Sequence, residues 1–248
     1  FMWDLDILVH PEQLAAAVVQ LEACGLRPTS TINIGSRHLF WGIHAIEFRG
    51  EKGKVDIHIA LRALPGVQLD DTAIWARAEH VAVNGVILPT LCDEHTLLIA
   101  VLGLAADIQK GSHNLRKMWD IHVMLLQLDA QLDWAAFFAR REREGSRKLA
   151  LNVLSFVGHL LGVASDWPCL SAVMTTHRDM ILIDSRPGAL RVFERKRGHV
   201  ANRILYSRLL PVSAPRYWMQ WLLTAPVRYL HYRASGSRRT GLSPPGSR

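Results

Sequence analysis

The chain has few of the features that mark disulfide-rich, zinc-binding or membrane-spanning proteins. Its three cysteines, Cys24, Cys92 and Cys169, are odd in number, far apart and outside any CxxC pair, which argues against a disulfide framework and a zinc site. The longest apolar run, residues 97–106, is too short to cross a bilayer, and no basic-then-apolar signal segment opens the sequence. These absences predict a soluble protein of the reducing cytoplasm.

Several catalytic motifs are also missing. The sequence contains no P-loop, GxGxxG, GxSxG or HExxH pattern, so it offers no support for a P-loop ATPase, a Rossmann enzyme, an α/β-hydrolase or a zinc protease. The composition, 49% hydrophobic and 21% charged over 248 residues, is that of a globular protein long enough for two domains.

Positive charge is concentrated at the end of the chain. From Arg186 onward the sequence holds thirteen Arg or Lys residues and one acid, Glu194, whereas the first 185 residues carry a formal charge of −5. Such asymmetry is explained by a solvated basic face, and contact of the basic segment with nucleic acid or an anionic membrane surface is the alternative.

The first part of the chain is predicted to alternate strand and helix. The strand DLDILV is followed by HPEQLAAAVVQLEACGL, in which Leu14, Val18 and Leu21 have helical spacing, with Pro11 near the start and Gly25 past the end. The segments RHLFW, GIHAIEFRG and KVDIHIAL favour strands, and RGEKGK predicts a hairpin turn between the last two. Residues 64–91 are predicted to be a partly irregular connection with a turn at VNGV.

From Asp93 the pattern becomes helical. The segments DEHTLLIAVLGLAADIQ, LRKMWDIHVMLLQL, LDWAAFFARRERE and RKLALNVLSFVGHLLG predict a helical bundle, in which Trp75, Trp119 and Trp134 anchor the core, and residues 166–185 predict one more helix. The predicted fold is therefore α+β, with a small mixed sheet and flanking helices followed by the bundle. We predict an α/β domain over residues 1–90, a helical domain over 91–185 and, over 186–248, a basic, aromatic-containing helical segment with a disordered tail.

Acidic residues interrupt two of the predicted strands. Asp4 and Asp6 alternate with apolar residues in DLDILV, so their side chains leave the same face of the strand. Two neighbouring carboxylates repel each other, and a hard divalent cation such as Mg²⁺ bound between them removes that repulsion. A solvated chain end is the alternative explanation.

A third acid, Asp56, lies in the apolar strand KVDIHIAL at the end of the predicted hairpin. Three acids on neighbouring strands form an oxygen-rich metal site, in which Asp56 shares a cation or accepts a proton from an attacking hydroxyl. Glu47, on the preceding strand, is the alternative third acid. This arrangement serves phosphoryl chemistry.

Residues 4–162 resemble the uncharacterised bacterial nucleotidyltransferase-like family of the DNA polymerase β superfamily. The likeness is carried, in order, by DLDILV, a helix ending in glycine, VDIHIAL, LRKMWDIHVMLLQ and LDWAAFFA. It implies that Asp4 and Asp6 bind Mg²⁺ or Mn²⁺ with a nucleoside triphosphate, expected to be ATP, and that Asp56 completes the metal site. The implied reaction transfers a nucleoside monophosphate to an unidentified acceptor hydroxyl on a small molecule, a protein or an RNA.

In that superfamily the triphosphate rests on a helix that carries a Gly-Ser or Gly-Gly pair before the D-x-D strand. The printed sequence has no such pair ahead of Asp4, and Gly35-Ser36 lies downstream of the strand. We therefore expect a domain without its opening helix, either truncated or naturally shortened. The second predicted function is accordingly a catalytically inactive binding or regulatory module of the same fold.

Four further residues are candidates for nucleotide binding. His58 shares the strand face of Asp56, within reach of a bound phosphate or metal, although a half-buried histidine bonded to backbone explains it as well. Lys110, Arg116 and Lys117 cluster between two predicted helices and are predicted to bind triphosphate oxygens across a cleft. A solvated helix start is the alternative for these three cations.

Overall fold

The computed structural model describes residues 4–29, 45–51, 53–59, 61, 67–112, 114–195 and 200–210. These residues fall into two compact units, divided after residue 63. The architecture is mixed α+β, which confirms the predicted fold class. The three-part domain division at residues 90 and 185 stays a prediction, and the predicted strand RHLFW and Gly35-Ser36 lie outside the described residues.

The first unit contains a small mixed sheet. Its described strands are β1 (Asp4–Leu8), β2 (Arg27–Pro28), β3 (Ala45–Gly50) and β4 (Gly53–His58). They lie in the order β1-β4-β3-β2, with β1 parallel to β4 and with β3 antiparallel to both of its neighbours. The predicted hairpin of β3 and β4 is confirmed.

A helix follows the first strand, as predicted. A 3₁₀ turn at Pro11–Gln13 leads into α1 (Leu14–Ala23). Gly25 follows the end of the helix, and its φ of +82° belongs to the left-handed region that glycine adopts without steric cost.

The core of the first unit lies on one face of the sheet. Leu14 of α1 packs with Ile46 and Phe48 of β3 and with Ile57 of β4, and all four are buried. Because successive side chains of a strand leave opposite faces, the polar residues that alternate with them lie on the other face. The apolar pattern therefore decides which face of the sheet carries the acids.

The second unit begins with α2 (Asp71–Ala76) and a hairpin of β5 (Glu79–Val83) and β6 (Val86–Thr90). The Asp70 side chain accepts a hydrogen bond from Ala73 N and so caps α2. Asn84 and Gly85 form the predicted turn, both with positive φ, as a tight two-residue hairpin turn requires. The connection predicted to be partly irregular is more regular than expected, because this capped helix and hairpin occupy most of it.

Helices form the rest of the second unit. They are α3 (Asp93–Lys110), α4 (Leu115–Leu128), α5 (Trp134–Arg143), α6 (Arg147–Leu161), α7 (Pro168–Thr176), α8 (Arg186–Phe193) and α9 (Val200–Leu209). The buried helix α3 contacts α4, α6 and α9, and α6 in turn contacts α5 and α8. The predicted helical bundle is confirmed. In the described part of the chain, no helix is both long and apolar enough to span a membrane.

The prediction of one helix over residues 166–185 was wrong. The helix α7 stops at Thr176, and a short 3₁₀ turn, Arg178–Met180, follows it. The buried Asn152 of α6 binds the backbone of the residues that follow: its amide donates to Met180 O, and its Oδ1 accepts from Leu182 N at 2.6 Å. These tertiary hydrogen bonds replace the helical ones, which is why local sequence did not reveal the break.

The three tryptophans predicted to anchor the bundle differ in burial. Trp134 is buried, as predicted, and Trp75 is half-buried on α2. Trp119 is 56% exposed, so its assignment to the core was wrong. It lies between Leu115 and Val123 on an exposed stripe of α4, one turn from each, and its ring contacts the His122 ring.

A buried charge cluster links α2, α3 and α5. Glu94, which is 2% exposed, binds Arg77 at 2.7 Å and Arg141 at 3.2 Å, and Arg140 Nε donates to its Oε1 at 2.6 Å. Burial raises the pKa of the Glu94 carboxyl, but the hydrogen bonds from Arg140 and Arg77 outweigh that effect and lower the pKa to about 2. Arg141, fully buried, also makes a two-pronged contact with Glu144.

Candidate functional site

Three acids form a row across neighbouring strands of the first unit. Asp6 on β1 is the register partner of Asp56 on the parallel strand β4. Asp56 is in turn the partner of Glu47 on the antiparallel strand β3. Because register partners send their side chains to the same face, the three carboxylates share the face opposite the apolar core.

The alternation along β4 produces this placement. Ile57 is 1% exposed in the core, so Asp56 and His58 on either side of it leave the opposite face. Lys54, two residues before Asp56, shares that face as well. The strand thus presents a cation, an acid and a histidine in sequence.

Lys54 and Arg49 neutralise part of the acid row. The Lys54 ammonium donates to Asp56 Oδ2 at 2.9 Å and lies 3.1 Å from Glu47 Oε2, while Arg49 Nε donates to Glu47 Oε1 at 2.8 Å. The hydrogen bond to Asp56 is the main cause that raises the pKa of Lys54. Burial opposes ionisation of Glu47, but the hydrogen bonds from Lys54 and Arg49 lower its pKa. Glu47 and Lys54 are therefore both held in their charged forms.

His58 contacts the acid on the neighbouring strand. Its Nε2 lies 2.9 Å from Asp6 Oδ1, and the Asp6 side chain is 71% exposed. The histidine thus bridges β4 and β1 at the solvent-facing side of the acid row. This contact places His58 beside a predicted metal ligand, as the shared strand face suggested.

One carboxylate oxygen of Asp56 makes no hydrogen bond within the described residues. Its Oδ1 is buried and has no hydrogen-bond partner among the described residues, although an unpaired buried oxygen is costly. A carboxylate oxygen of this kind suits a hard divalent cation, so Asp6 and Asp56 fit Mg²⁺ in chemistry, and their register puts them on one face of the sheet. Within the described ranges, however, no group of three His, Cys, Asp or Glu residues is arranged to hold a metal ion.

The predicted third ligand, Asp4, begins β1 and is the register partner of Lys54. Its side chain lies outside the part of the chain that the structure describes. The roles of Asp4, Asp6 and Asp56 toward a metal therefore stay predictions. The placement of Asp56 on the same sheet face as Asp6, on which the prediction depended, is present in the structure.

The other predicted nucleotide-binding cations belong to the second unit. Lys110 is the exposed last residue of α3, and Lys117 Nζ donates to Asp107 Oδ2 at 2.6 Å. Arg116 lies 4.0 Å from Asp120 in an exposed pair one helical turn apart. Their binding to nucleotide stays a prediction, and so does contact of the basic segment after Arg186 with a polyanion.

Lys54 is the site residue that the sequence analysis missed. The signal was available, since the alternation in KVDIH places Lys54 on the face of Asp56 and His58. Its contact with Glu47 depends on the pairing of β3 with β4. The strand pattern alone therefore indicated the lysine, but not the acid that it joins to Asp56.

The family model described as an uncharacterised nucleotidyltransferase matches residues 1–162, well over half of the chain. The chain belongs to the uncharacterised nucleotidyltransferase family. The match includes the acid row and continues into the helices of the second unit, which confirms the resemblance found over residues 4–162. Comparisons with curated proteins and with solved structures gave no match. Membership in this nucleotidyltransferase family supports a nucleotide as substrate.

Proposed function

We propose that the protein is an Mg²⁺-dependent nucleotidyltransferase that moves a nucleoside monophosphate from a nucleoside triphosphate, ATP in the first instance, to an acceptor hydroxyl. The observation that carries the proposal is the register pairing of Asp6 with Asp56 on adjacent parallel strands, with one buried oxygen of Asp56 open. Family membership supplies the reaction class.

The carboxylates of Asp6 and Asp56, with Asp4, are the proposed ligands of Mg²⁺ or Mn²⁺. A bound divalent cation neutralises negative charge on the phosphates and on the leaving pyrophosphate. Asp6 is exposed enough to meet a ligand from solvent, whereas Asp56 is mostly buried beside it. The pair therefore combines an accessible ligand with a more rigidly held one.

Asp56 is also the proposed proton acceptor. The acceptor oxygen attacks the α-phosphorus, its proton passes to Asp56, and the bond from the α-phosphorus to the bridging oxygen breaks to release pyrophosphate. His58, which contacts Asp6, is the proposed ligand for a phosphate oxygen. Orienting the two reactants at one sheet face supplies much of the expected rate enhancement.

Thermal unfolding of the full chain with MgCl₂ and ATP tests the binding step. A ligand at one hundred times its Kd stabilises the folded state by about 2.7 kcal/mol, which is a rise of several degrees in Tm. Asp6→Asn is expected to abolish the rise, while Asp120→Asn, at an exposed pair on α4, retains it. No rise in the wild-type protein contradicts the proposal.

Transfer itself is tested with ATP labelled at the α-phosphate and separate small-molecule, protein and RNA fractions of a cell extract. Label transferred by the wild-type protein and absent with Asp56→Asn supports catalysis and identifies the acceptor class. Binding of Mg²⁺ and ATP without transfer to any fraction favours the inactive binding module instead.

A further inference from the structure

Lys54 joins two acids of the candidate site. Its ammonium lies 2.9 Å from Asp56 Oδ2 and 3.1 Å from Glu47 Oε2, and its side chain is only 25% exposed. It therefore places one positive charge among these acids, on the same face of the sheet. Asp56 Oδ1 stays without a hydrogen-bond partner among the described residues despite this contact.

We propose that Lys54 couples the binding of the divalent cation to the binding of the nucleotide. Before either ligand binds, Lys54 balances the charge of Asp56 and Glu47. When both bind, its ammonium moves to a phosphate oxygen of the nucleotide. The proposal rests on the proposed function, because it concerns the same acids and the same two ligands.

The physical basis is repulsion between like charges at short range. A cation held by Asp56 lies within a few ångströms of the Lys54 ammonium, and the partly buried setting screens their repulsion less than bulk water does. The cation alone therefore binds weakly while Lys54 remains on Asp56. A triphosphate reverses this balance, because its negative oxygens attract the ammonium away from the carboxylate.

Such coupling is reciprocal. If the triphosphate strengthens cation binding by removing Lys54 from Asp56, the cation strengthens triphosphate binding by the same factor. Lys54 then has opposite effects on the two ligands: it weakens the cation alone and strengthens the nucleotide. A lysine that only supported the sheet would produce neither effect.

Titration calorimetry on the full chain separates these effects. Lys54→Met is expected to bind Mg²⁺ alone about tenfold more tightly than the wild type and to bind ATP in saturating MgCl₂ about tenfold more weakly. Lys54→Gln serves if the methionine variant does not fold, and Lys54→Arg, which keeps the charge, is expected to stay within threefold of the wild type for both ligands.

Arg49→Met is the matched control. It removes one positive charge from the same sheet, but the Arg49 side chain is 61% exposed and contacts Glu47 rather than Asp56. Both dissociation constants are expected to stay within twofold of the wild type.

Two results overturn the proposal. Weaker binding of Mg²⁺ alone by Lys54→Met means that the lysine only holds Asp56 in position, and unchanged constants for both ligands mean that it plays no part in either. If the wild-type protein binds neither Mg²⁺ nor ATP, the proposed function itself fails. Binding by the wild type with no effect of Lys54→Met refutes the coupling alone.

Discussion

His58 Nε2 on β4 lies 2.9 Å from Asp6 Oδ1 on the parallel neighbouring strand β1. The contact joins a histidine that is mostly shielded from solvent to an acid that is 71% exposed. Within the described residues, Lys54 likewise contacts a predicted metal ligand, Asp56.

Replacing His58 tests its proposed role in phosphate binding. We expect His58→Ala to weaken ATP binding in MgCl₂ about tenfold, because a hydrogen bond to a charged group is lost. The free energy of unfolding should change by less than about 1 kcal/mol, since pairs with an exposed partner contribute little. Calorimetry and urea unfolding measure the two quantities. His80→Ala, at an exposed histidine of the β5–β6 hairpin, is the control, and an unchanged ATP affinity in His58→Ala contradicts the role.

Removing the charge of Glu94 should destabilise the second unit. Glu94→Gln leaves Arg141, which is fully buried, without one of its two acidic partners. Breaking a buried ion pair in this way costs about 3 kcal/mol. Urea unfolding measures the loss, and Asp120→Asn, at the exposed pair with Arg116, should change stability by less than about 0.5 kcal/mol. Equal losses in the free energy of unfolding for the two substitutions would show that the buried cluster stabilises the fold no more than the exposed pair does.

Acid should weaken the protein through the same residue. The pKa of Glu94 is about 2 in the folded state and near 4.5 when the chain is unfolded. The unfolded state therefore binds the proton first, so this stabilisation is complete above about pH 5 and is lost as the pH falls toward 2. It amounts to roughly 3 kcal/mol. Urea unfolding at several pH values should show this component in the wild type and lack it in Glu94→Gln; an identical pH dependence in both would contradict the assignment.

The stability of the segment at residues 180–183, which follows α7, should depend on the Asn152 side chain. Asn152→Ala removes the acceptor of Leu182 N and Ile183 N and the donor to Met180 O, leaving these backbone groups without that partner. Each unsatisfied buried group costs about 1–3 kcal/mol, so a loss of roughly 3 kcal/mol in the free energy of unfolding is expected.

Hydrogen exchange locates the effect of that substitution. The amides of Leu182 and Ile183 should exchange much faster in Asn152→Ala than in the wild type. Protection of these two amides that is unchanged would mean that the side chain does not hold the segment. Ser171→Ala is the control, because its hydroxyl donates to Ala164 O, a different carbonyl.

Patterns of apolar residues were enough to predict some of the regular elements, α1 and β4 among them. The spacing of Leu14, Val18 and Leu21 predicted α1, and the alternation in KVDIHIAL predicted β4 with Asp56 on its polar face. Hydrogen bonds between distant residues were not predictable in the same way. Asn152 lies on α6, and its hydrogen bonds to Met180 and Leu182 end the helix that was predicted over residues 166–185. The local sequence around residue 177 gives no sign of these bonds.

The sequence by itself determined the face on which each strand residue lies, because alternation is a property of the extended backbone. It also determined the family, through the order of its strands and helices. Only the tertiary structure decided which acids are neighbours, since the row Asp6–Asp56–Glu47 exists because β4 pairs with β1 on one side and with β3 on the other. The same pairing brings Lys54 between Asp56 and Glu47. The attraction between these charges depends on the distance between them, and strand pairing sets that distance.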